Sequence, residues 1–350
     1  MIVKNIYILV NKMTIVFDSS IFKILNIKNF RDMFKINGVA IVNGRECIIT
    51  GKKATSAYFM ICLRYGDITF EIHFKFKPNE GSLDSMNMMF LDNTIISDNM
   101  KIIRHLGAGS FGNVFLVCVA GKEYAMKVGL DIPRGSETIS AIQNEVNIFS
   151  LLSQNPQHQN LICSFPIEFP LGPAIFLELG QETLDDKIKS EFLSFQQTIE
   201  LMRQILSAVA FLHSIGISHH DLKPNNIIFV NGVQKLFDFG LSYRWETENS
   251  FRSHHGGTLG YKHKTARSNY GQDVFSCCFI FIEMLIGKKI RSYNSKILGG
   301  IKELSDVEIE MNLREKQISE ENIKKILHIY SMCSSNTSIN DIIQLAQSIQ

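Results

Sequence analysis

A change of hydrophobic period at Gly180 constrains this chain more than any other feature. Upstream of it, short strand-like runs at 101–106, 113–119, 123–128, 161–168 and 174–179 enclose one helical stretch, 136–153. There Ile139, Ile142, Val146 and Phe149 recur at helical spacing, and Ser136 can cap the first turn. Downstream the pattern is mainly helical. Ser194-Phe195-Gln196-Gln197 fits a capping box. It opens a helix to about residue 214 with Ile199, Met202, Ile205, Leu206, Val209 and Leu212 on one face. Five strands and one helix followed by a helical block predict an α+β protein of two lobes with a cleft between them.

Residues 1–97 read as mostly β. Ile68, Phe70, Ile72, Phe74 and Phe76 alternate with Thr69, Glu71, His73 and Lys75, a period of two. The apolar run 58–63 reaches them through Tyr65-Gly66-Asp67, a turn signal, which predicts a hairpin. Asn37-Gly38 and Asn43-Gly44 mark further turns. Residues 82–98, polar and dotted with methionine, read as a linker. No chemical motif occurs before it, so 1–97 is taken as a β-rich N-terminal extension of unknown role.

Composition excludes more than it assigns. A net charge of +2, with 20% charged and 45% hydrophobic residues, is ordinary for a globular chain and argues for neither a nucleic-acid nor a membrane partner. The apolar run Val274–Ile286 is interrupted only by Ser276 and Glu283. It falls short of the roughly 18 residues that span a bilayer, so it predicts a buried core helix. Asn11 and Lys12 break the first apolar run before it reaches the length of a secretory signal. The seven cysteines (Cys47, Cys62, Cys118, Cys163, Cys277, Cys278 and Cys333) are odd in number and include no C-x-x-C pair. They read as buried, reduced thiols of an intracellular protein, cytoplasmic or nuclear. Abundant isoleucine, asparagine and lysine point to an AT-rich genome such as that of a large DNA virus.

Three segments carry chemistry. Gly107-Ala108-Gly109-Ser110-Phe111-Gly112-Asn113-Val114 is a glycine-rich loop between two strands, where backbone N–H groups can approach phosphate oxygens without a Cβ in the way. The glycine pattern alone is weak, since dinucleotide-binding folds use it between strand and helix. Thirteen residues after Gly112, Ala125-Met126-Lys127-Val128 puts a lysine in an apolar strand, with Glu145 of the following helix as its partner and Glu137 as the alternative. The third segment is His219-His220-Asp221-Leu222-Lys223-Pro224-Asn225-Asn226, followed twelve residues after Asn226 by Asp238-Phe239-Gly240. Asp221 can orient and deprotonate a hydroxyl, and Lys223 can supply a cation near a transferring phosphoryl group. Asn226 and Asp238 offer the oxygen ligands that magnesium requires.

Together these segments resemble the eukaryotic-type protein kinases of the serine/threonine branch, over residues 98–350. The resemblance implies an N-lobe at about 98–179 and a C-lobe at about 180–350. It implies ATP and Mg²⁺ as cofactors, and protein substrates that receive the γ-phosphate on a hydroxyl. Leu106, residues Gly107 to Val114, Ala125, Lys127, Glu145, Glu178 and Leu179 would then bind nucleotide, the last two as the hinge facing adenine. Gly257-Thr258-Leu259-Gly260-Tyr261 is similar to the substrate-docking segment, with Thr258 placed to touch Lys223 and Asp221. Asp273 matches a helix aspartate that holds the catalytic loop, and Phe149, His219 and Phe239 match members of a hydrophobic spine.

The chain also departs from the family. His220 stands where most kinases have arginine, so a phosphate on the 238–257 segment meets no permanent cation and phosphorylation-independent activity is expected. His263-Lys264-Thr265 replaces the A-P-E motif, and the late segment 334–338 lacks the arginine that would pair with its glutamate. Between 252 and 267 the cations Arg252, Lys262, Lys264 and Arg267 interleave with His254, His255 and His263, without an acidic residue. That single-sign stretch predicts acidic or phosphate-primed substrates, or simply a solvated face. Two other readings of the site stay open: a pseudokinase or ATP-binding scaffold, and a small-molecule kinase of the choline or aminoglycoside type. Loss of Lys127, Asp221 or Asp238 would favour the first; absence of Lys-Pro after the aspartate and of G-T-x-x-Y would favour the second.

Overall fold

A computed structural model describes residues 6–10, 13–17, 39–42, 45–55, 58–66, 68–76, 83–90, 92–97, 99–109, 112–128, 135–169, 172–191, 193–245, 257–262, 270–293, 301–332 and 338–349. The expected turn at Asn37-Gly38 and the cations and histidines of 252–256 and 263–267 lie outside these residues, as do Ser110, Phe111 and 334–337. The chain divides into two compact units, residues 1–149 with 163–179 and residues 150–162 with 180–350.

Alternation of apolar and polar residues builds the first unit. Seven antiparallel strands form one sheet in the order β2-β1-β3-β4-β5-β6-β7. They are β1 (Ile6–Val10), β2 (Met13–Phe17), β3 (Val39–Val42), β4 (Arg45–Thr55), β5 (Tyr58–Tyr65), β6 (Ile68–Phe76) and β7 (Leu83–Phe90). β5 and β6 make the expected hairpin, with Tyr65 opposite Ile68, Leu63 opposite Phe70 and Gly66 at φ 57° in the turn. The sheet buries Leu63, Ile68 and Phe70.

The expected linker at 82–98 is instead largely strand. β7 pairs with β6 so that Phe90, Met88 and Met86 lie opposite Phe70, Ile72 and Phe74. These three apolar residues recur every second position, and that period carries a strand even with Asn87 and Met89 between them.

A second sheet runs β12-β13-β11-β10-β9-β8. Its strands are β8 (Ile95–Ser97), β9 (Met100–Gly109), β10 (Gly112–Val119), β11 (Lys122–Val128), β12 (Ser164–Phe169) and β13 (Gly172–Leu177). The Thr94 hydroxyl donates to the Thr69 carbonyl at 3.2 Å, tying this sheet to the first. Helix α1 (Gly135–Leu152) buries Ala141, Ile142, Ile148 and Phe149, whereas Val146 is half-buried. It begins at Gly135, so Ser136 sits inside its first turn rather than before it.

The second unit is mainly helical, giving the α+β class that the change of period predicts. Its helices are α2 (Leu184–Ser190), α3 (Phe195–Ser214), α4 (Gly271–Ile286), α5 (Asp306–Glu315), α6 (Glu320–Met332) and α7 (Ile339–Gln347). Small ladders of β14 (Glu182–Thr183) with β16 (Ile227–Val230) and β17 (Val233–Leu236), β15 (Ile217–Ser218) with β18 (Tyr243–Arg244), and β19 (Arg291–Tyr293) with β20 (Ile301–Glu303) complete it. The capping box of α3 forms as read: Ser194 Oγ accepts from the Gln197 N–H, and the Gln197 side chain accepts from the Ser194 N–H.

α4 is buried on every side from Gln272 to Ile286. It is the central post of this unit, and no helix among the described residues is long and apolar enough to cross a membrane. Of the cysteines read as buried, Cys277 and Cys278 on α4 are so, and burial raises the Cys277 thiol well above its usual range. Cys62, Cys118 and Cys163 are only half-buried. The side chains of Cys47 and Cys333 lie outside the described residues.

Candidate active site

The loop after β15 carries His219, His220 and Asp221, and a buried carboxylate shapes it. Asp273, in the first turn of α4, accepts the backbone N–H of His219 at 2.7 Å on one oxygen and that of His220 at 2.8 Å on the other. His213, at the end of α3, places Nε2 2.9 Å from the same carboxylate and stacks on Tyr270 at 4.2 Å. Burial alone would raise the pKa of Asp273. The hydrogen bond and positive potential of His213, with the other imidazoles, outweigh it and bring the value down to about 2. Held this way, His220 adopts φ 65°, a left-handed conformation that costs a side-chain-bearing residue about 1 kcal/mol.

The His219 ring has its tautomer set by its neighbours. Nδ1 accepts the Asp221 N–H at 3.3 Å, so Nε2–H donates to the Phe237 carbonyl at 3.1 Å. The ring lies 5.0 Å from that of Phe239, a contact between two of the expected spine residues; Phe149, the third, is buried in the other unit.

Asp221 is surrounded by donors. Its Oδ2 accepts from Lys223 Nζ at 2.6 Å and Asn226 Nδ2 at 3.0 Å, and its Oδ1 from the Thr258 N–H at 2.9 Å and hydroxyl at 2.8 Å. Lys223 also donates to Thr258 Oγ1 at 2.8 Å, the contact expected of this threonine. Gly257, at φ 104°, suits this approach: the region is strained for other residues, and a Cβ there would sit 3.0 Å from the His220 carbonyl oxygen.

Asn226 spends its amide N–H groups on the carbonyl and carboxylate of Asp221. This leaves its Oδ1 as the coordinating end. The Phe237 N–H donates to the Asn226 carbonyl at 3.1 Å, tying the backbone just before Asp238 to that of Asn226. Asp238 stands at φ 67°, and Asp is one of the few residues that tolerates that region. An amide oxygen and a carboxylate are the kinds of oxygen donor that a hard cation such as Mg²⁺ takes, so the donor chemistry fits the expected metal.

In the other unit, Lys127 on β11 is buried and donates to fully buried Glu145 of α1 at 2.7 Å. A buried lysine without a carboxylate would be strongly destabilising, and Glu145 supplies it. β9 and β10 bring Gly109 opposite Gly112, Ala108 opposite Asn113 and Gly107 opposite Val114. Gly112 stands at φ 131°, where a Cβ would fall 2.3 Å from the Val128 carbonyl. A Cβ on Gly107 would meet nothing within 4 Å. Leu106 is exposed, Ala125 buried, and Glu178 and Leu179 half-buried; the Glu178 carboxylate accepts the Cys163 N–H.

Several residues here escape a linear reading. The Tyr261 carbonyl accepts from Gln272 Nε2 at 2.7 Å and Ser276 Oγ at 3.0 Å, and its hydroxyl donates to Glu283 at 2.5 Å. The other oxygen of Glu283 accepts the Ile290 N–H at 3.0 Å. Trp245, the single tryptophan, donates to Ser218 Oγ at 2.8 Å and packs against Tyr243 and His220. Its singularity is the one signal that could have marked it. Gln272 and His213 carried no signal in the sequence, and Ser276 stood out only as an interruption of an apolar run.

The sequence pattern of the protein kinase domain matches residues 100–344. Calcium-dependent protein kinase 27 of Oryza sativa subsp. japonica is 28% identical over 202 residues, 55% of this chain and 33% of that protein. Calcium-dependent protein kinase 25 of Arabidopsis thaliana is 29% identical over 195 residues, 52% of this chain and 37% of that protein. The chain thus spans about a third of the length of these relatives. With the domain pattern matched over most of its length, the chain belongs to the protein kinase family.

Two predictions follow from the buried carboxylates. Asp273→Asn puts an amide N–H against backbone donors, and urea denaturation should show a loss of about 3 kcal/mol; a loss below about 1 kcal/mol would contradict the account of the loop. Glu283 has its pKa pushed up to about 7, chiefly by burial, against the opposing bonds from Tyr261 and Ile290 and the charge of Lys289, with Asp185 adding to the rise. The folded protein therefore keeps a proton that the unfolded chain releases near pH 4.5. Stability from this group is full below that pH and is lost as pH rises through about 7. Denaturation of the parent between pH 5 and 8 should show a decline of about 3 kcal/mol that Glu283→Gln removes.

Proposed function

We propose that the protein is an active serine/threonine kinase, which transfers the γ-phosphate of ATP to a protein hydroxyl. The observation that carries this reading is the Asp221 constellation: one carboxylate bonded at once by Lys223, Asn226 and Thr258. A binding module on the same fold has no need of such an arrangement. Asp221 would accept the proton of the attacking hydroxyl, while Lys223, already beside it, would stabilise charge on the phosphoryl oxygens. Asn226 and Asp238 would hold magnesium, which when bound neutralises the phosphate oxygens. Lys127, steadied by Glu145, would hold the α- and β-phosphates, and Gly107 to Gly112 would cover the triphosphate through backbone N–H groups. Glu178 and Leu179 would meet adenine through their backbone.

The domain reading goes with this: a kinase domain at 98–350 and an N-terminal extension at 1–97, in an intracellular protein of the cytoplasm or nucleus. Acidic or phosphate-primed substrates remain part of the proposal on the charge of residues 252–267. The calcium dependence in the relatives' names is a property of those proteins.

Incubation with labelled ATP and a degenerate peptide library should give phosphoserine or phosphothreonine. Asp221→Asn should lower turnover roughly 10²–10⁴-fold while nucleotide affinity changes less than twofold; turnover within tenfold of the parent would remove Asp221 from the role. A further outcome concerns regulation. His220 is buried beside Trp245, and so is poorly disposed to receive a phosphate from the segment that follows. Phosphatase treatment should leave at least half the activity. A loss above tenfold that returns on phosphorylation of Ser250 or Ser253 would overturn this.

A further inference from the structure

Residues 257–262 carry Thr258 to Asp221, yet they lie in no sheet and form only a single helical turn, Leu259–Tyr261. What fixes such a segment must come from its neighbours. Tyr261 is held by α4 at both its carbonyl and its hydroxyl. One residue on, the Lys262 carbonyl accepts from Arg291 Nη1 at 3.2 Å.

Arg291 is itself locked. Its Nη2 donates to Glu303 Oε1 at 3.0 Å, across the β19–β20 ladder, and its Nε lies 2.8 Å from Glu303 Oε2. Its guanidinium lies over the rings of Phe279, at 4.7 Å, and Phe275, at 5.0 Å, both on α4. Glu303 in turn accepts from the Tyr330 hydroxyl of α6 at 3.2 Å. The Glu303 side chain is 37% exposed, so the ion pair alone contributes little stability. What the arrangement achieves is direction. A planar fork paired on one edge and stacked on aromatic rings has one remaining way to point, and a lysine at this position could not reproduce it.

We propose that Arg291 is a positioning residue for the protein substrate. It clasps the end of the 257–262 segment, so that Thr258 stays on Asp221 and the segment presents a fixed wall to an incoming chain. This rests on the kinase reading above. Arg291 touches no reacting atom; it acts through Lys262 and Thr258.

The test uses the full chain and compares Arg291→Met, which keeps an apolar stem on the phenylalanines, with Glu303→Gln, which weakens the ion pair but spares the bond to Lys262. Two quantities are measured: Michaelis constants for ATP and for the best peptide from the library, and hydrogen exchange at the amides of Thr258 and Tyr261. In Arg291→Met the peptide constant should rise at least tenfold and the ATP constant less than twofold. Exchange at Thr258 and Tyr261 should quicken at least tenfold, while the amides of His219 and His220, held by Asp273, stay as in the parent. Glu303→Gln should change each value less than threefold. Equal effects of the two variants would reduce Arg291 to a staple of the β19–β20 hairpin and overturn the proposal, as would an unchanged peptide constant with unchanged exchange. If Arg291→Met fails to fold, Arg291→Lys decides: an unaltered peptide constant there refutes the fork. Should the parent transfer no phosphate at all, the kinase reading fails, and exchange at Thr258 and Tyr261 alone settles the clasp.

Discussion

A single buried carboxylate organises the helical unit. Asp273 sits at the head of a helix buried on every side, where an unpaired charge would cost several kcal/mol. Two backbone N–H groups and an imidazole offset that cost, and all three come from α3 and the loop that follows it. The bonds are directional, so they determine where the loop lies. They hold His220 in a left-handed conformation that it would not keep in isolation, and the turn this creates presents the next residue, Asp221.

From Asp221 the constraint passes outward through hydrogen bonds rather than through packing. Lys223 and Asn226, two and five residues further on, bond back to the carboxylate, and Thr258 closes it from a distant part of the chain. A charged acceptor with donors on both oxygens has little freedom left, and pre-positioned charge of this kind is what phosphoryl transfer draws on. α4 supports both ends of the arrangement. Asp273 in its first turn grips the loop, while Gln272, Ser276 and Glu283 grip Tyr261. A helix buried all round is a rigid reference for two segments that have little regular structure of their own.

The β-rich unit follows a different logic. Its strands are specified by alternation, and a buried ion pair, Lys127–Glu145, joins a strand to a helix in the core. There the lysine and the glutamate each make the burial of the other tolerable, and neither would be retained for stability alone.

Much of this was legible in the residues. Period-two alternation located the β5–β6 hairpin, a capping box located α3, and an apolar run too short for a bilayer located α4. The proposed set of Asp221, Asn226, Asp238, Lys127 and Glu145 could be put forward from the residues because phosphoryl chemistry would demand those groups at near-fixed offsets. The strand at 83–90 was missed because methionines alternating with polar residues look like a linker until β6 is there to pair with them. Contacts between residues far apart in the chain left no mark where no motif pointed to them. His213 meets Asp273 across 60 positions, and Arg291 finds both the Lys262 carbonyl and Glu303 only once α4 and the β19–β20 hairpin are in place. Sequence determined which side chains could do the chemistry, since chemical type is local and each candidate carries its own pKa range and donor set. Tertiary structure decided how they are held, because a hydrogen bond to a main-chain carbonyl or amide can be made by many residue types and is specified by geometry alone.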